Sequence, residues 1–351
     1  MTDRYDAEAL SDFSRKLFGA AGMEADKAAI VAPLLVEADL MGHTTHGLQL
    51  CGPYLGALEN GSMLGVGEPE VVSDRGAVVT WDGRRLSGVW LTATAVDLAT
   101  DRAEQYGSCT IAIRRGHHIA CLAAFLERAT SRGCMVTITS SDPDVASVAP
   151  YGGTRAVYTP NPIAVGIPTD EDPILIDISA SITTNGLTGR LHGEGRKLDH
   201  AWVQDAVGNA SNDPAVLFTD PPGTILPTGG KDHGHKGYGL ALMVEAMTQA
   251  LPGFGRADPA QGWGAGIYVQ VQDPSAFAGR EEFERQTGHL ARLCRDNPPA
   301  PGVTSVRLPG DRALGRKRKA LAEGLELYPG IIDVLGTWAE KFEIEMPAAS
   351  A

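Results

Sequence analysis

The sequence predicts an α/β protein, and three observations carry that reading. Apolar residues recur at helical spacing through the N-terminal region. From Ala77 onward, short β-branched runs alternate with amphipathic stretches. No Gly-x-Gly-x-x-Gly follows a strand, so a dinucleotide, if one binds, is held by a design other than the familiar glycine fingerprint.

Helices come first along the chain. Asp6 to Ala20 places Leu10, Phe13, Leu17 and Phe18 on one face, and Gly22 can stop it. Glu24 to Met41 is acidic at its start and apolar at Ile30, Val31, Leu34, Leu35 and Ala38, with Gly42 at its end. A third helix is predicted from Gly47 to Glu59. Ala77 to Trp81 reads as a strand, Leu91 to Tyr106 as an amphipathic helix and Thr110 to Ile113 as a short strand. Ala120 to Arg132 reads as a helix, followed by strands at Met135 to Thr139, Ile163 to Ile167 and Ile174 to Ile178. Arg196 to Gly230 is polar and turn-rich, and loops of that length are often functional. Leu240 to Met247 is almost wholly apolar and predicts a buried helix. Ile267 to Val271 alternates as a strand, Glu281 to Arg295 is helical, and Asp296 to Pro301 is a break. A basic helix (Arg316 to Lys319) and an amphipathic one (Ile331 to Phe342) close the chain.

A length of 351 residues suggests about two domains. The net charge of −13 argues against a nucleic-acid partner or an anionic membrane surface. Five cysteines without a Cys-x-x-Cys pair read as reduced thiols in a cytoplasmic protein. No signal-peptide core and no apolar run of bilayer-spanning length is expected.

The chain is organised around Pro227 to Gln249. Glycines ahead of a helix expose free amides to a ligand, the helix dipole favours an anion there, and Lys236 adds a full charge. This is a phosphate or carboxylate seat, or a glycine-rich turn with Lys236 in solvent. His117 and His118 follow a strand, where an imidazole is well placed for acid–base work. His46 has the Thr45 hydroxyl beside it, which can fix its tautomer or simply cap a helix. Asp177 is the one acid in an apolar strand and can orient a histidine or bond loop amides. A metal site would need His43 and His46, His117 and His118, and His233 and His235 to converge, and no His-Glu-x-x-His supports one. Hydrolysis lacks a Gly-x-Ser-x-Gly elbow.

Read together and in order, a set of motifs covers almost the whole chain. They are Gly42-His43-Thr44-Thr45-His46-Gly47 with Tyr54 and Gly61 behind, His117-His118-Ile119-Ala120, Ala149-Pro150-Tyr151-Gly152-Gly153 and Asn161-Pro162-Ile163-Ala164. Asp177-Ile178-Ser179-Ala180-Ser181 with Gly186, His235-Lys236-Gly237-Tyr238-Gly239-Leu240 and Leu308-Pro309-Gly310-Asp311 complete it. This ordered set resembles the type-2 malate/L-lactate dehydrogenase family. Ureidoglycolate and sulfolactate dehydrogenases and the piperideine/pyrroline-2-carboxylate reductases belong to the same family.

The resemblance implies a non-Rossmann fold. A mixed-sheet cofactor domain (76–295) would pair with a mostly helical domain built from both chain ends (1–75 with 296–351). It implies a homodimer that binds NAD or NADP and acts on a small-molecule substrate, without nucleic acid or membrane. The reaction would be hydride transfer between nicotinamide and C2 of a 2-oxo/(S)-2-hydroxy acid, or reduction of a cyclic 2-imino acid. An accessory protein that kept the fold but lost the activity is the alternative of another class. By motif match, His118 is the acid–base histidine and lies along the cofactor with Ile119 and Ala120. His46, Thr45 and Asp177 fall on a proton relay. Ser140, Ser141, Ile178, Ser179, Ala180, Lys236, Pro309, Gly310 and Asp311 fall on cofactor contacts. Two positions depart from the family. Leu50, beside Gln49, stands where an arginine clamps the substrate carboxylate, so either another base (Arg190, Arg196 or Arg155) takes the carboxylate or the substrate is bulkier and less polar there. Leu187 stands where a lysine is usual.

Overall fold

The computed structural model describes residues 3–350. A two-residue strand, β1 (Arg4–Tyr5), leads into α1 (Ala7–Ala20) and α2 (Ala25–Leu40). The Asp6 carboxylate accepts the Ala9 N–H at 2.8 Å, which satisfies a first-turn amide and fixes where α1 begins. Leu10, Phe13, Leu17 and Phe18 are buried on the face their spacing predicts. The third predicted helix splits into a 3₁₀ turn, Leu48–Leu50, and α3 (Cys51–Glu59).

The sheet begins with β2 (Glu70–Asp74), which sequence patterning missed because it is an exposed edge with little apolar alternation. β3 (Val78–Asp82), α4 (Gly88–Tyr106) and β4 (Ser108–Gly116) form a βαβ unit, with β3 and β4 parallel. The predicted helix over 120–132 is a correction. It breaks into a 3₁₀ turn, Leu122–Phe125, and one α-turn, α5 (Glu127–Thr130). Ala120 is left-handed at φ 57°, and the Ala123 N–H is taken by Asp177 at 2.9 Å. These tertiary demands override good helix formers. β5 (Met135–Ser141), β6 (Pro162–Ile167) and β7 (Ile174–Ser179) follow as antiparallel neighbours.

Beyond β7 comes α6 (Asn185–Gly193), started by Thr184, whose hydroxyl accepts the Leu187 N–H. The turn-rich stretch holds a small sheet of β8 (Val203–Gln204), β9 (Ala210–Ser211) and β10 (Thr224–Ile225). α7 (Gly230–His233) and α8 (His235–Glu245) come next, and α8 continues as a π-helical turn, Ala246–Ala250. The expected burial of this helix is corrected too. Gly237, Ala241 and Val244 face inward, but Leu242 is 50% and Met243 39% exposed. β11 (Ala265–Gln272), α9 (Arg280–Arg295), α10 (Asp311–Glu323), β12 (Leu325–Glu326), α11 (Ile331–Phe342) and β13 (Ala349–Ser350) complete the chain.

The main sheet runs β2-β3-β4-β11-β5-β6-β7, and only β3 and β4 are parallel. It is a mixed sheet, unlike a doubly wound parallel one. β11 is last in sequence but central in space. Its residues Ala265 to Val269 are buried without a gap, so both its faces are covered. α4 packs on β4 and β11, and the π-helical turn packs on β4, β11 and β5. Gly266 makes that second contact possible, because a Cβ there would lie 2.1 Å from the Thr248 carbonyl oxygen. At the other end, β1 pairs antiparallel with both β12 and β13, α11 packs on α1 and α3, and α10 packs on α2. Elements from the two ends of the chain thus pack together.

Candidate active site

The end of β4 delivers two histidines with different surroundings. Gly88, the first residue of α4, permits this turn, because a Cβ there would lie 1.9 Å from the His117 carbonyl oxygen. His117 is fully buried and neither ring nitrogen has a hydrogen-bond partner. Its ring meets Tyr54 and Trp263 edge-on, at centroid distances of 5.8 and 4.9 Å. Burial, helped by Arg85, pushes its pKa down to about 3, so it packs as a neutral aromatic.

His118 is the chemically equipped one. Its Nδ1 lies 2.7 Å from the Tyr54 hydroxyl and 3.3 Å from the Ala120 amide. An amide N–H can only donate, so Nδ1 accepts and the ring proton of the neutral form sits on Nε2. Trp263 lies against the ring at 4.7 Å, and the His46 ring stacks at 6.1 Å. Burial holds its pKa well below the usual histidine range, and the neighbouring imidazoles add to this.

His46 is held from the helix junction. The Thr45 hydroxyl lies 2.8 Å from its Nδ1. α6 packs across this pair at Gly186, where a Cβ would lie 3.2 Å from the Thr45 Cβ. Burial, then His43 and Arg190, pushes the His46 pKa down to about 4. The expected relay of Thr45, His46 and Asp177 does not assemble as a unit. Asp177 accepts the Ala123 N–H at 2.9 Å and the Cys121 thiol at 3.7 Å. The His43 ring lies near it, and ligand atoms of His43, Cys121 and Asp177 lie within 4.8 Å of one another. Burial raises the Asp177 pKa, and His43 and the Ala123 amide oppose the rise. The three histidine clusters do not converge either: His233 and His235 lie together, with His235 beside Tyr151.

Several of the residues expected to contact a cofactor lie around β7. Ala180 N–H donates to Asn161, and the Thr228 N–H donates to the Ala180 carbonyl at 2.8 Å. Gly237 lets α8 rest on that strand end, since a Cβ there would lie 2.3 Å from Thr228 N. Lys236 is exposed beside it, Ile178 is 50% exposed, and Gly239 has open space around it. An exposed cation, a bare backbone and an exposed apolar side chain suit a dinucleotide. Other predicted contacts are already engaged. Ser140 donates to the Gly266 carbonyl at 3.1 Å, and Ser141 donates to Glu245 at 2.6 Å, so their hydroxyls turn inward. The Pro309 carbonyl accepts the Leu175 N–H at 3.0 Å, which lays Pro309-Gly310 along β7, and Asp311 pairs with Arg295 at 2.7 Å.

A family model described as malate/L-lactate dehydrogenase matches residues 5–336. The chain belongs to this family. It is 29% identical over 343 residues to an L-lactate dehydrogenase of Cupriavidus necator, covering 96% of this chain and 97% of that protein. Its structure is similar to that of delta1-piperideine-2-carboxylate reductase from Pseudomonas syringae pvar. tomato, with a TM-score of 0.83 at 27% identity, covering 96% of this chain and 100% of that one. A malate dehydrogenase from Entamoeba histolytica has the same fold, with a TM-score of 0.92 at 23% identity over 99% of this chain and 100% of that one.

Against the malate/L-lactate dehydrogenase pattern, the two departures are apolar packing positions. Leu50 is half-buried against the helical core, and Leu187 packs on a separate cluster around Val148 and Tyr158. Sequence reasoning left Tyr54 and Trp263 out of the site. Tyr54 stood in a quoted motif without a role, and its link to His118 spans 64 residues of sequence. Trp263 lies in a glycine-dense stretch with no periodicity to mark it.

Proposed function

We propose that this protein is an NAD(P)-dependent oxidoreductase that interconverts a 2-oxo acid and its (S)-2-hydroxy acid. The observation that carries the reading is His118, held at Nδ1 by Tyr54 and Ala120 with its Nε2 left for a substrate. When bound, the dinucleotide supplies or removes the hydride at C2. In reduction the doubly protonated His118 gives its Nε2 proton to the substrate oxygen and is left neutral with its proton on Nδ1, and oxidation reverses the step. The Tyr54 hydroxyl serves both protonation states, since it can donate to a bare Nδ1 and accept from Nδ1–H. Lys236 at the start of α8 holds phosphate, and Ile178 to Ala180 support the dinucleotide along β7. Trp263 and the buried His117 keep water from the reacting face.

In this reading the helical layer (1–75 with 296–351) and the sheet region (76–295) act as two domains, and the substrate lies between His46 and His118. The protein works in the cytoplasm as a homodimer. The exposed apolar outer side of α8 and its extension, Leu242, Met243 and Leu251, supports a second copy as its cover. Sedimentation tests that assembly.

The Thr45–His46 pair favours a second reading, reduction of a cyclic 2-imino acid, with His46 as the proton donor. Reduced-cofactor oxidation, followed by absorbance with NADH and NADPH against 2-oxo acids and cyclic imines, decides between them. Turnover of 2-oxo acids supports the first reading, turnover of cyclic imines alone the second, and turnover of neither removes both.

A further inference from the structure

We propose that Arg190 binds the carboxylate of the substrate, from the wall of the site that α6 builds over Thr45 and His46. The inference rests on the dehydrogenase reading. An anionic substrate placed between the half-buried His46 and His118 rings needs a cation beside them. Arg190 lies four residues after Gly186, hence on the same face of α6. Gly186 is the residue that α6 sets against the His46 ring, where its Cβ would lie 3.6 Å from Cε1. The guanidinium and the bare glycine therefore line one wall.

The guanidinium is half-committed. Nη1 donates to the Thr44 hydroxyl at 2.9 Å and Nη2 to the Thr44 carbonyl at 3.0 Å, so one edge of the fork grips the helix junction. The Tyr328 ring lies under the plane, with the central carbon 3.7 Å from its centroid, and leaves the edges free. Nη2 also donates to the Gln49 side-chain oxygen, while Nε–H has no partner among the described residues. That second edge is thus held only by the neutral amide of an exposed, rotatable side chain. A carboxylate displaces such an acceptor, because its charge-assisted pair of bonds is stronger.

Arg85, beside His117, gives all its nitrogens to the carbonyls of Ser62, Gly262 and Trp263. Arg196 is exposed and paired with Glu194 at 2.9 Å, and Arg155 is exposed.

Calorimetric titration with oxamate, with and without NADH or NADPH, tests this on Arg190→Gln and Arg190→Lys. Oxamide, its uncharged counterpart, is the control. Arg190→Gln is expected to weaken oxamate about a hundredfold and leave oxamide unchanged, with Arg190→Lys in between. In turnover the loss should fall on KM for the 2-oxo acid. Equal losses for oxamate and oxamide would mean that Arg190 only braces Thr44, and the proposal falls. It falls equally if wild type ignores oxamate or if Arg190→Gln binds it like wild type. Arg190-dependent oxamate binding without any turnover would instead sink the dehydrogenase reading and leave this one standing.

Discussion

The two ends of the proposed site are built in opposite ways. Around His46, His117 and His118 the rings are buried or half-buried, and each lies against another ring or a hydroxyl. Around Lys236 the charge is exposed, Gly239 has open space around it, and among the described residues no side chain holds the lysine in place. Chemistry needs atoms held to a fraction of an ångström, so the reacting end is locked by packing. A phosphate seat needs charge and free amides more than it needs precision, so it can stay open to solvent.

The contrast predicts a graded set of effects. His118→Ala should lower turnover by about two to four orders of magnitude while cofactor affinity stays near wild type. A turnover number that survived would remove His118 from acid–base work and pass the role to His46. Tyr54→Phe keeps the packing but removes the hydroxyl from Nδ1, and about a tenfold loss in turnover is expected, with a shifted pH profile. If the pH profile did not move, the hydroxyl would be holding structure alone.

Lys236→Gln probes the open end. Cofactor affinity should weaken several-fold, about 1 kcal/mol for an exposed charge at a helix start, with turnover at saturation little changed. The wild-type advantage should shrink as salt rises. A fall in turnover at saturating cofactor would place Lys236 in the locked half of the site.

The smallest effect concerns stability. His117 and His46 have folded pKa values of about 3 and about 4, below the unfolded value of about 6.5. Between these limits the unfolded chain binds more protons, so stability is full above about 6.5 and is lost as pH falls toward 4 and then 3. The melting temperature should drop across that window, and His117→Phe should flatten the slope. A slope unchanged by that substitution would assign the acid sensitivity elsewhere.

Much of the fold was legible in the sequence because it rests on local periodicity. α1, α2, α9 and α11 fall within a few residues of their predicted spans, since each has a clear apolar stripe and a cap or a break. The packing of α11 against α1 was implied by resemblance alone. β2 and α6 were missed because neither carries a strong apolar pattern. The site was legible as residues and much less so as partners. Thr45 and His46 are neighbours in sequence and proved to be neighbours in space. Asp177 was matched to His46 by motif, but the fold gives it to His43 and Cys121. Arg190 reaches Thr44 across 146 residues, a contact no spacing rule encodes.

Deuteride transfer tests the central claim most directly. Wild-type protein, NADH or NADPH deuterated at the reactive carbon and a 2-oxo acid should yield a 2-hydroxy acid with one deuterium at C2, in the (S) configuration. His118→Ala should form it more slowly by the factor given above. Cofactor oxidation that leaves C2 unlabelled, or label arriving at equal rates in both proteins, would contradict the account.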